Sequence, residues 1–494
     1  MTDLTKIPIA DIARKMALSE LNSVDLLASY RELIELEDGD FNAVAFLNPD
    51  ADAIAEAMDR ERIQGQVRGP LHGVPVLVKD NIASADRMMT SAGSLALDGV
   101  IAKRDAHLVA RLRRAGAIVQ GKTNLSEWAN FRSTRSSSGW SSRGGQVRNA
   151  HATDRTPGGS SSGSGVAAAR GFCAAAIGTE TDGSIVGPSA MNGIVGIKPT
   201  VGLISRTGII PISESQDTAG PMARSVADVA ALLSAIAGSD PDDPATKDSK
   251  VLNFTNFLDA AGLYGKRLGV VRNYAGFHEG LEKAFGAALA VTREAGAEVI
   301  DGLELPNREE IRQHEIIVML TEFKVGLNAY LAALGADAPV KSLAELIAFN
   351  LNNADRVMPH FGQEILLQAE ETGGLDDKAY KNALTVSRRL CREKGIDAAM
   401  TEHRLDALVA PTSPVPWAID LVNGDNRLGG SSGLAAVSGY ASITVPMGTV
   451  AGLPVGFSFI GGPWSEGPLI AMAYAFERTA QGRPEPGPAR RWLD

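Results

Sequence analysis

Residues 156–200 read TPGGSSSGSGVAAARGFCAAAIGTETDGSIVGPSAMNGIVGIKPT, which places two glycine- and serine-rich loops on either side of an apolar segment. The loops are 158–165 and 179–184, and the segment 166–177 between them is mostly alanine with a few larger apolar residues. Glycines let backbone N–H groups approach a bound group closely, and serines supply hydroxyls that donate, accept or attack. Two such loops on one buried support indicate the floor of a catalytic site.

Three alternatives for this stretch fit less well. Gly/Ser-rich segments often serve as linkers, but a linker is not normally joined to an apolar alanine-rich segment. A phosphate-binding loop with the spacing of Gly158 and Gly163 requires lysine where Ser164 stands. The G-x-S-x-G motif of α/β-hydrolases matches at 159–163 and equally at 429–433, and none of the seven histidines stands in an evident triad context. A serine hydrolase without histidine needs another base, and lysine is the usual substitute.

A candidate base lies upstream, in the sequence LHGVPVLVKDN at residues 71–81. Residues 74–78 are apolar and predict a buried strand that ends at Lys79. Most lysines are solvated surface groups, so position alone leaves both a surface role and a catalytic role open. To act as a base, Lys79 must be neutral, which requires burial to lower its pKa from about 10.4 to about 7 or 8.

With GVPVLVKDN, GGSSSGS and GTETDGSI in this order, the chain resembles the amidase signature family. The resemblance continues through residues 202–230 and resumes at 406–414, 443–448 and 452–462, so it covers nearly the whole chain. It implies a hydrolase that cleaves carboxamide C–N bonds through an acyl-enzyme. It also implies a fold with a mixed central β-sheet covered by helices on both faces.

The resemblance further implies a Ser-cisSer-Lys triad. Ser184 matches the nucleophile, Ser160 the bridging serine that follows a cis peptide bond, and Lys79 the base. Ser161 and Ser164 are expected to brace the loop. The oxyanion hole would be formed by backbone N–H groups of four successive residues, namely Thr181, Asp182, Gly183 and Ser184.

The nucleophile segment departs from the common family pattern. Where Gly-Gly-Ser-Ile-Arg is usual, residues 182–186 read Asp-Gly-Ser-Ile-Val, so an arginine is missing and an acid is added. Glutamine amidotransferase subunits usually carry that arginine, which makes such a subunit the less favoured alternative. Segments 121–133 and 138–149 look most like bacterial peptide amidases, which release ammonia from the C-terminal carboxamide of peptides. An aryl acylamidase or a carbamate (urethane) hydrolase with the same triad is the main alternative.

Three aromatic residues near these segments have two interpretations. Trp128, Phe131 and Trp140 either line a substrate cleft or fill the apolar core, which is the commoner position of such side chains.

The chain as a whole is predicted to form one large α/β domain over residues 1–494, because strand, helix and strand patterns alternate in it. Four regions are expected within this domain. They are an N-terminal helical wrapping at 1–70, a catalytic core at 71–230, a variable substrate-side cap at 240–400 that contains a helix over 309–334, and a return to the sheet at 401–494.

Composition restricts the partners and the location. The formal net charge of −10 argues against a general nucleic-acid footprint. The N-terminus lacks secretory-signal features, no continuous apolar run reaches membrane-spanning length, and there are only two cysteines. HExxH and CxxC metal-binding spacings are absent. We therefore expect a cytoplasmic enzyme without metal or other cofactor, a monomer or homodimer that acts on a small amide or peptide amide, with no nucleic-acid or membrane partner.

Overall fold

The computed structural model describes residues 4–335 and 338–493. Within these residues, eleven strands form one sheet in the order β1-β3-β2-β6-β8-β7-β12-β13-β11-β9-β10, and β4 and β5 form a separate hairpin. The strands are β1 (Val44–Leu47), β2 (Pro75–Lys79), β3 (Ile118–Thr123), β4 (Trp140–Ser141), β5 (Gly145–Gln146), β6 (Ala175–Glu180), β7 (Val195–Lys198), β8 (Thr218–Ala223), β9 (Arg267–Val271), β10 (Glu298–Leu303), β11 (Ala407–Pro411), β12 (Ser442–Val450) and β13 (Leu453–Ile460).

Helices surround the sheet. The α-helices of the described residues are α1 (Ile9–Ala17), α2 (Ser23–Phe41), α3 (Ala51–Ile63), α4 (His107–Arg114), α5 (Ser162–Arg170), α6 (Val186–Met191), α7 (Val226–Ile236), α8 (Glu279–Glu294), α9 (Arg308–Ala333), α10 (Leu343–Asn352), α11 (Ala354–Val357), α12 (Glu364–Glu371), α13 (Lys378–Cys391), α14 (Asp397–His403), α15 (Ser432–Ser438) and α16 (Glu466–Ala480). Short 3-10 helices occur at Leu4–Lys6, Leu95–Leu97, Glu127–Asn130, Pro244–Asp248, Phe254–Phe257 and Arg272–Tyr274, and Arg392–Ile396 is a π-helical turn.

The sheet is mixed, as predicted. Strand β2 pairs in parallel with β3 and β6, whereas β6, β8, β7, β12 and β13 pair antiparallel in succession. Side chains of a strand alternate between the two faces. Along β6, Ala175 and Ile177 pack into a core that includes α7 and α8, while Ala176 packs into a second core with α5. Helices therefore cover both faces, and the predicted fold class is confirmed.

The region 240–400 is only partly a cap. Its first half contains β9 and β10, which extend one edge of the central sheet. Its second half is helical from Arg308 onward, and α9 matches the helix predicted over 309–334. Residues of α9 and α10 pack against the segment that carries Trp128 and Phe131. The covering element is therefore the helical part, and the preceding strands belong to the sheet because their apolar side chains complete its core.

Helix α9 is long and apolar enough to cross a membrane by length and composition. Here it packs against α12 and α13. It also carries two buried carboxylates, Glu315 and Glu322, which accept hydrogen bonds from neighbouring segments. In this fold α9 is a core helix of the cap.

Candidate active site

Lys79 stands at the carboxyl end of β2, where the chain leaves the sheet. Its side chain is fully buried, and its Nζ lies 2.8 Å from Ser160 Oγ. Nζ also donates to Thr179 Oγ1 at 2.8 Å, and Thr179 Oγ1 accepts a second hydrogen bond from Asn81 Nδ2 at 3.0 Å. Because β2 and β6 are parallel neighbours, Lys79 and Thr179 meet at the same edge of the sheet. Open α/β sheets bind ligands at this edge.

The first glycine- and serine-rich loop turns sharply before α5. The peptide bond between Gly159 and Ser160 is cis, as predicted. Ser161 Oγ donates to Thr179 O at 3.0 Å, and Ser164 Oγ donates to Ile177 O at 3.1 Å, so both serines tie the loop to β6. These contacts confirm the bracing role predicted for Ser161 and Ser164, and they hold Ser160 beside Lys79.

Ser184 lies in the second loop, between β6 and α6, and is 8% exposed. The Glu180 carboxylate accepts hydrogen bonds from the backbone N–H groups of Ile185 at 2.6 Å and Val186 at 3.0 Å. Gly183 has φ +78°, a conformation that L side chains rarely adopt. Glu180 and this glycine therefore shape the turn that presents Ser184.

The backbone N–H groups of residues 181–184 donate no hydrogen bond within the described part of the chain. Four successive donors are thus available beside the Ser184 side chain. Such an array is suited to an oxyanion, which is stabilised by preorganised N–H groups. These four residues are the ones from which the sequence predicts an oxyanion hole.

Burial dominates the electrostatics of this site. It lowers the pKa of Lys79 to about 7, while the negative charges of Asp217 and Glu180 act in the opposite direction. Burial also raises the pKa of Asp217 to about 6, against the hydrogen bond that Asp217 accepts from Thr181. A lysine with such a pKa is partly neutral near pH 7 and is therefore able to accept a proton.

Asp182 replaces the glycine expected at its position. Its side chain is exposed and lines two further cavities. The protein around the carboxyl desolvates it and raises its pKa, opposed by a hydrogen bond from Ser432. Glu315 lines one of the same cavities, and burial together with the Asp182 charge raises its pKa to about 8.

A cavity of about 280 Å³ opens beside Ser160. Thr179, Thr181 and Asp217 line its polar side. Its apolar wall is formed by Ile209, Ile210, Pro211, Ile212, Ala129 and Gly326. This combination suits a ligand with a polar reacting end and an apolar side chain.

The sequence model of the family described as Amidase matches residues 25–470. The chain belongs to the amidase signature family. It is an amidase-family hydrolase, as the motifs around Lys79, Ser160 and Ser184 predicted.

Known relatives align with nearly all of this amidase. A probable amidase of Arabidopsis thaliana is 42% identical over 490 residues, which covers 97% of this chain and 91% of the relative. The native peptide amidase of Stenotrophomonas maltophilia superposes with a TM-score of 0.93, at 51% identity over 98% of both chains. The peptide amidase PAM in complex with the competitive inhibitor chymostatin superposes with a TM-score of 0.95, at 52% identity over 98% of this chain and 99% of that chain.

In this amidase the three predicted cleft aromatics are buried. Trp128, Phe131 and Trp140 are 1%, 7% and 6% exposed, and none of them lines the cavity beside Ser160. Phe131 packs edge-on against Phe323 of α9, and Trp140 against Phe361. Their contacts are those of core side chains, and Ala129 is the residue of this segment that reaches the cavity.

Sequence analysis missed several residues of the amidase site. Thr179, Asn81 and Glu180 contact the Lys79 and Ser184 segments directly, and all three lie in motifs that were already singled out. The wall that includes Ile209 and Gly326 gave no sequence signal, because only the fold brings it to Ser160. Within the described residues, no group of three or more His, Cys, Asp or Glu side chains is arranged to hold a metal ion.

Proposed function

We propose that this amidase hydrolyses the C-terminal carboxamide of peptides, with Ser184 as nucleophile, Ser160 as relay and Lys79 as base. The observation that carries the proposal is the 2.8 Å contact between the fully buried Lys79 Nζ and Ser160 Oγ, next to a loop with free N–H groups. The similarity to peptide amidases supports the choice of substrate.

In the acylation step, Ser184 Oγ attacks the carboxamide carbon. The Ser184 proton passes to Ser160, and the Ser160 proton passes to neutral Lys79 Nζ. The carbonyl oxygen becomes an oxyanion, which the N–H groups of residues 181–184 stabilise by about 3 to 4 kcal/mol per donor. The C–N bond then breaks, and the proton returns along the same path to the leaving nitrogen, which departs as ammonia.

In the deacylation step, water attacks the ester that Ser184 now carries. The relay takes a proton from water in the same way and returns it to Ser184 Oγ when the peptide acid leaves. Ser184 Oγ makes no hydrogen bond to Ser160 Oγ among the described residues. Such catalytic contacts often tighten only when substrate is bound.

Product analysis by mass spectrometry tests the proposal. An amidated dipeptide, an acetanilide and an aryl carbamate are each incubated with the wild type and with Ser184→Ala. We expect the dipeptide amide to be converted to its free acid, and this conversion to be lost in Ser184→Ala. Ser189→Ala is the matched control, because the Ser189 hydroxyl is buried on α6, makes no hydrogen bond in the described chain and does not line the cavity.

The other outcomes separate the alternatives. Preferential cleavage of the anilide or carbamate would leave the proposed triad in place but change the proposed substrate class. Turnover that survives in Ser184→Ala would refute the assignment of the nucleophile. Ammonia delivered to an acceptor by a stable complex with partner chains would indicate an amidotransferase subunit instead.

A further inference from the structure

A second cavity, of about 720 Å³, adjoins the cavity beside Ser160, and Arg206, Glu214 and Pro244 line both. The two cavities differ in charge. The first is lined by four acidic side chains and one basic one, whereas the second is lined by four basic side chains and two acidic ones. A basic cavity is notable in a chain with a formal net charge of −10. We call this second cavity the basic cavity.

Two arginines of the basic cavity make no ion pair among the described residues. Arg388 lies in the last turn of α13 and Arg392 follows four residues later, a spacing that brings side chains together. Neither makes an ion pair with a carboxylate in the described part of the chain. The Arg388 Nε is buried without a hydrogen-bond partner, and Arg392 Nε donates to the backbone oxygen of Ser438 at 2.7 Å. Burial and the neighbouring Arg392 charge lower the pKa of Arg388, and the negative charge of Glu322 acts in the opposite direction.

The acidic side chains of the basic cavity do not neutralise these arginines. The Glu322 carboxylate already accepts hydrogen bonds from Ser213 Oγ at 2.5 Å, from the Ser215 N–H at 2.9 Å and from Tyr380 OH at 2.7 Å. Glu214 is exposed and makes no ion pair among the described residues. Arg388 therefore lines the cavity without an ion pair in the described part of the chain, and a carboxylate in the cavity would give its guanidinium a partner.

We propose that the basic cavity binds the carboxylate of an aspartate or glutamate that lies upstream of the amidated residue in a peptide substrate. The inference rests on the proposed function, because it places the C-terminal carboxamide at the Ser184 loop, next to the first cavity that Ser160 and Thr181 line. Because Arg206, Glu214 and Pro244 line both cavities, the rest of the peptide is placed across these residues, toward the second cavity. The guanidinium of Arg388 matches a carboxylate with two parallel hydrogen bonds.

Matched peptide amides test this inference. Each carries glutamate one, two or three residues before the amidated residue, and is compared with the same peptide that carries glutamine. At one spacing we expect kcat/KM to favour glutamate by about five- to tenfold, because a charge-assisted contact contributes about this much to binding. The preference should appear mainly in KM and should decrease as salt increases.

Substitutions in α13 test whether the preference for glutamate arises in the basic cavity. Arg388→Gln should reduce the ratio of the two kcat/KM values to about one, and Arg388→Lys should keep part of it, because lysine retains the charge but not the planar fork. The matched control is Arg389→Gln, which removes the same charge from an exposed neighbour that does not line the cavity, and should preserve the ratio. Each ratio is measured within one variant, so a general loss of activity cancels.

Two outcomes would overturn the inference. One is an equal kcat/KM for glutamate and glutamine peptides at every spacing in the wild type. The other is a preference that Arg388→Gln leaves unchanged. Failure of the proposed function is distinguishable from both, because the glutamine peptides would then not be hydrolysed at all.

Discussion

Thr181 Oγ1 donates a 2.6 Å hydrogen bond to Asp217 Oδ1, which ties the start of the nucleophile loop to the segment before β8. The other Asp217 oxygen accepts from the backbone N–H groups of Ile212 at 2.8 Å and Ser213 at 2.9 Å. One partly buried carboxylate thus joins the loop that carries Ser184 to the apolar wall of the cavity. We expect the geometry of the proposed oxyanion hole to depend on this contact.

Replacing Asp217 should affect both stability and catalysis. Asp217→Ala removes three hydrogen bonds and leaves buried donors unpaired, so we expect a loss of about 2 to 3 kcal/mol in the free energy of unfolding. We also expect kcat to fall at least about tenfold, the size of a small loss of oxyanion stabilisation. Denaturant unfolding and steady-state kinetics measure the two effects. Asp217→Asn, which keeps one acceptor oxygen, should lose less, and an unchanged kcat in a folded Asp217→Ala would contradict the bracing role.

The pH dependence of activity should follow the protonation of the Lys79 amine. Its pKa is lowered to about 7, so the amine is neutral above this pH and protonated below it. Because only the neutral amine accepts a proton, kcat/KM should be constant on the alkaline side and fall about tenfold per pH unit on the acid side. The measurement is a profile from pH 5 to pH 9, with circular dichroism at each pH to show that the chain stays folded. Undiminished activity at pH 5 would rule out Lys79 as the base.

Thr179 should influence the apparent pKa at which kcat/KM falls on the acid side. Its hydroxyl is an acceptor for Lys79 Nζ, and hydrogen bonds to a charged group are stronger than those to a neutral one. Thr179→Val removes the acceptor from the protonated lysine at nearly constant volume, so the apparent pKa should decrease by about one unit. Thr179→Ser restores a hydroxyl and should restore the wild-type profile. If Thr179→Val lowers kcat but leaves the apparent pKa of the profile unchanged, Thr179 serves only in packing.

Gly326 of α9 should control which side chains the cavity accepts. A Cβ at this position would lie 3.2 Å from Pro211 Cγ, and both residues line the apolar wall of the cavity. Gly326→Val should therefore lower kcat/KM for dipeptide amides that end in phenylalanine by at least about tenfold, as overpacking costs about 1 to 3 kcal/mol. Amides that end in alanine should be much less affected. Gly374→Val is the control, because a Cβ at Gly374 meets no atom within 4 Å. Equal losses on both substrates in Gly326→Val would contradict the assignment of Gly326 to the wall that selects side chains.

Much of the site was readable from the sequence because its parts are local. The loops around Ser160 and Ser184 consist of small residues in fixed spacing, and such loops impose their backbone geometry with few long-range contacts. The apolar run before Lys79 predicted a strand, and the strand ends at that residue. The resemblance of these motifs to one family also supplied the mixed sheet and the cis bond before Ser160, both of which the structure contains.

The rest was decided by tertiary structure. Position in the sequence left open whether Lys79 is solvated, and only its complete burial between neighbouring strands lowers its pKa. Aromatic residues occur in clefts as well as, more commonly, in cores, and packing against α9 decided the position of Phe131. The two cavities combine segments as distant as Asn81 and Gly326, or Thr200 and Trp464. The sequence by itself thus predicted the reacting groups and their loops, whereas burial, cavity walls and the basic lining around Arg388 arise only when distant segments pack together.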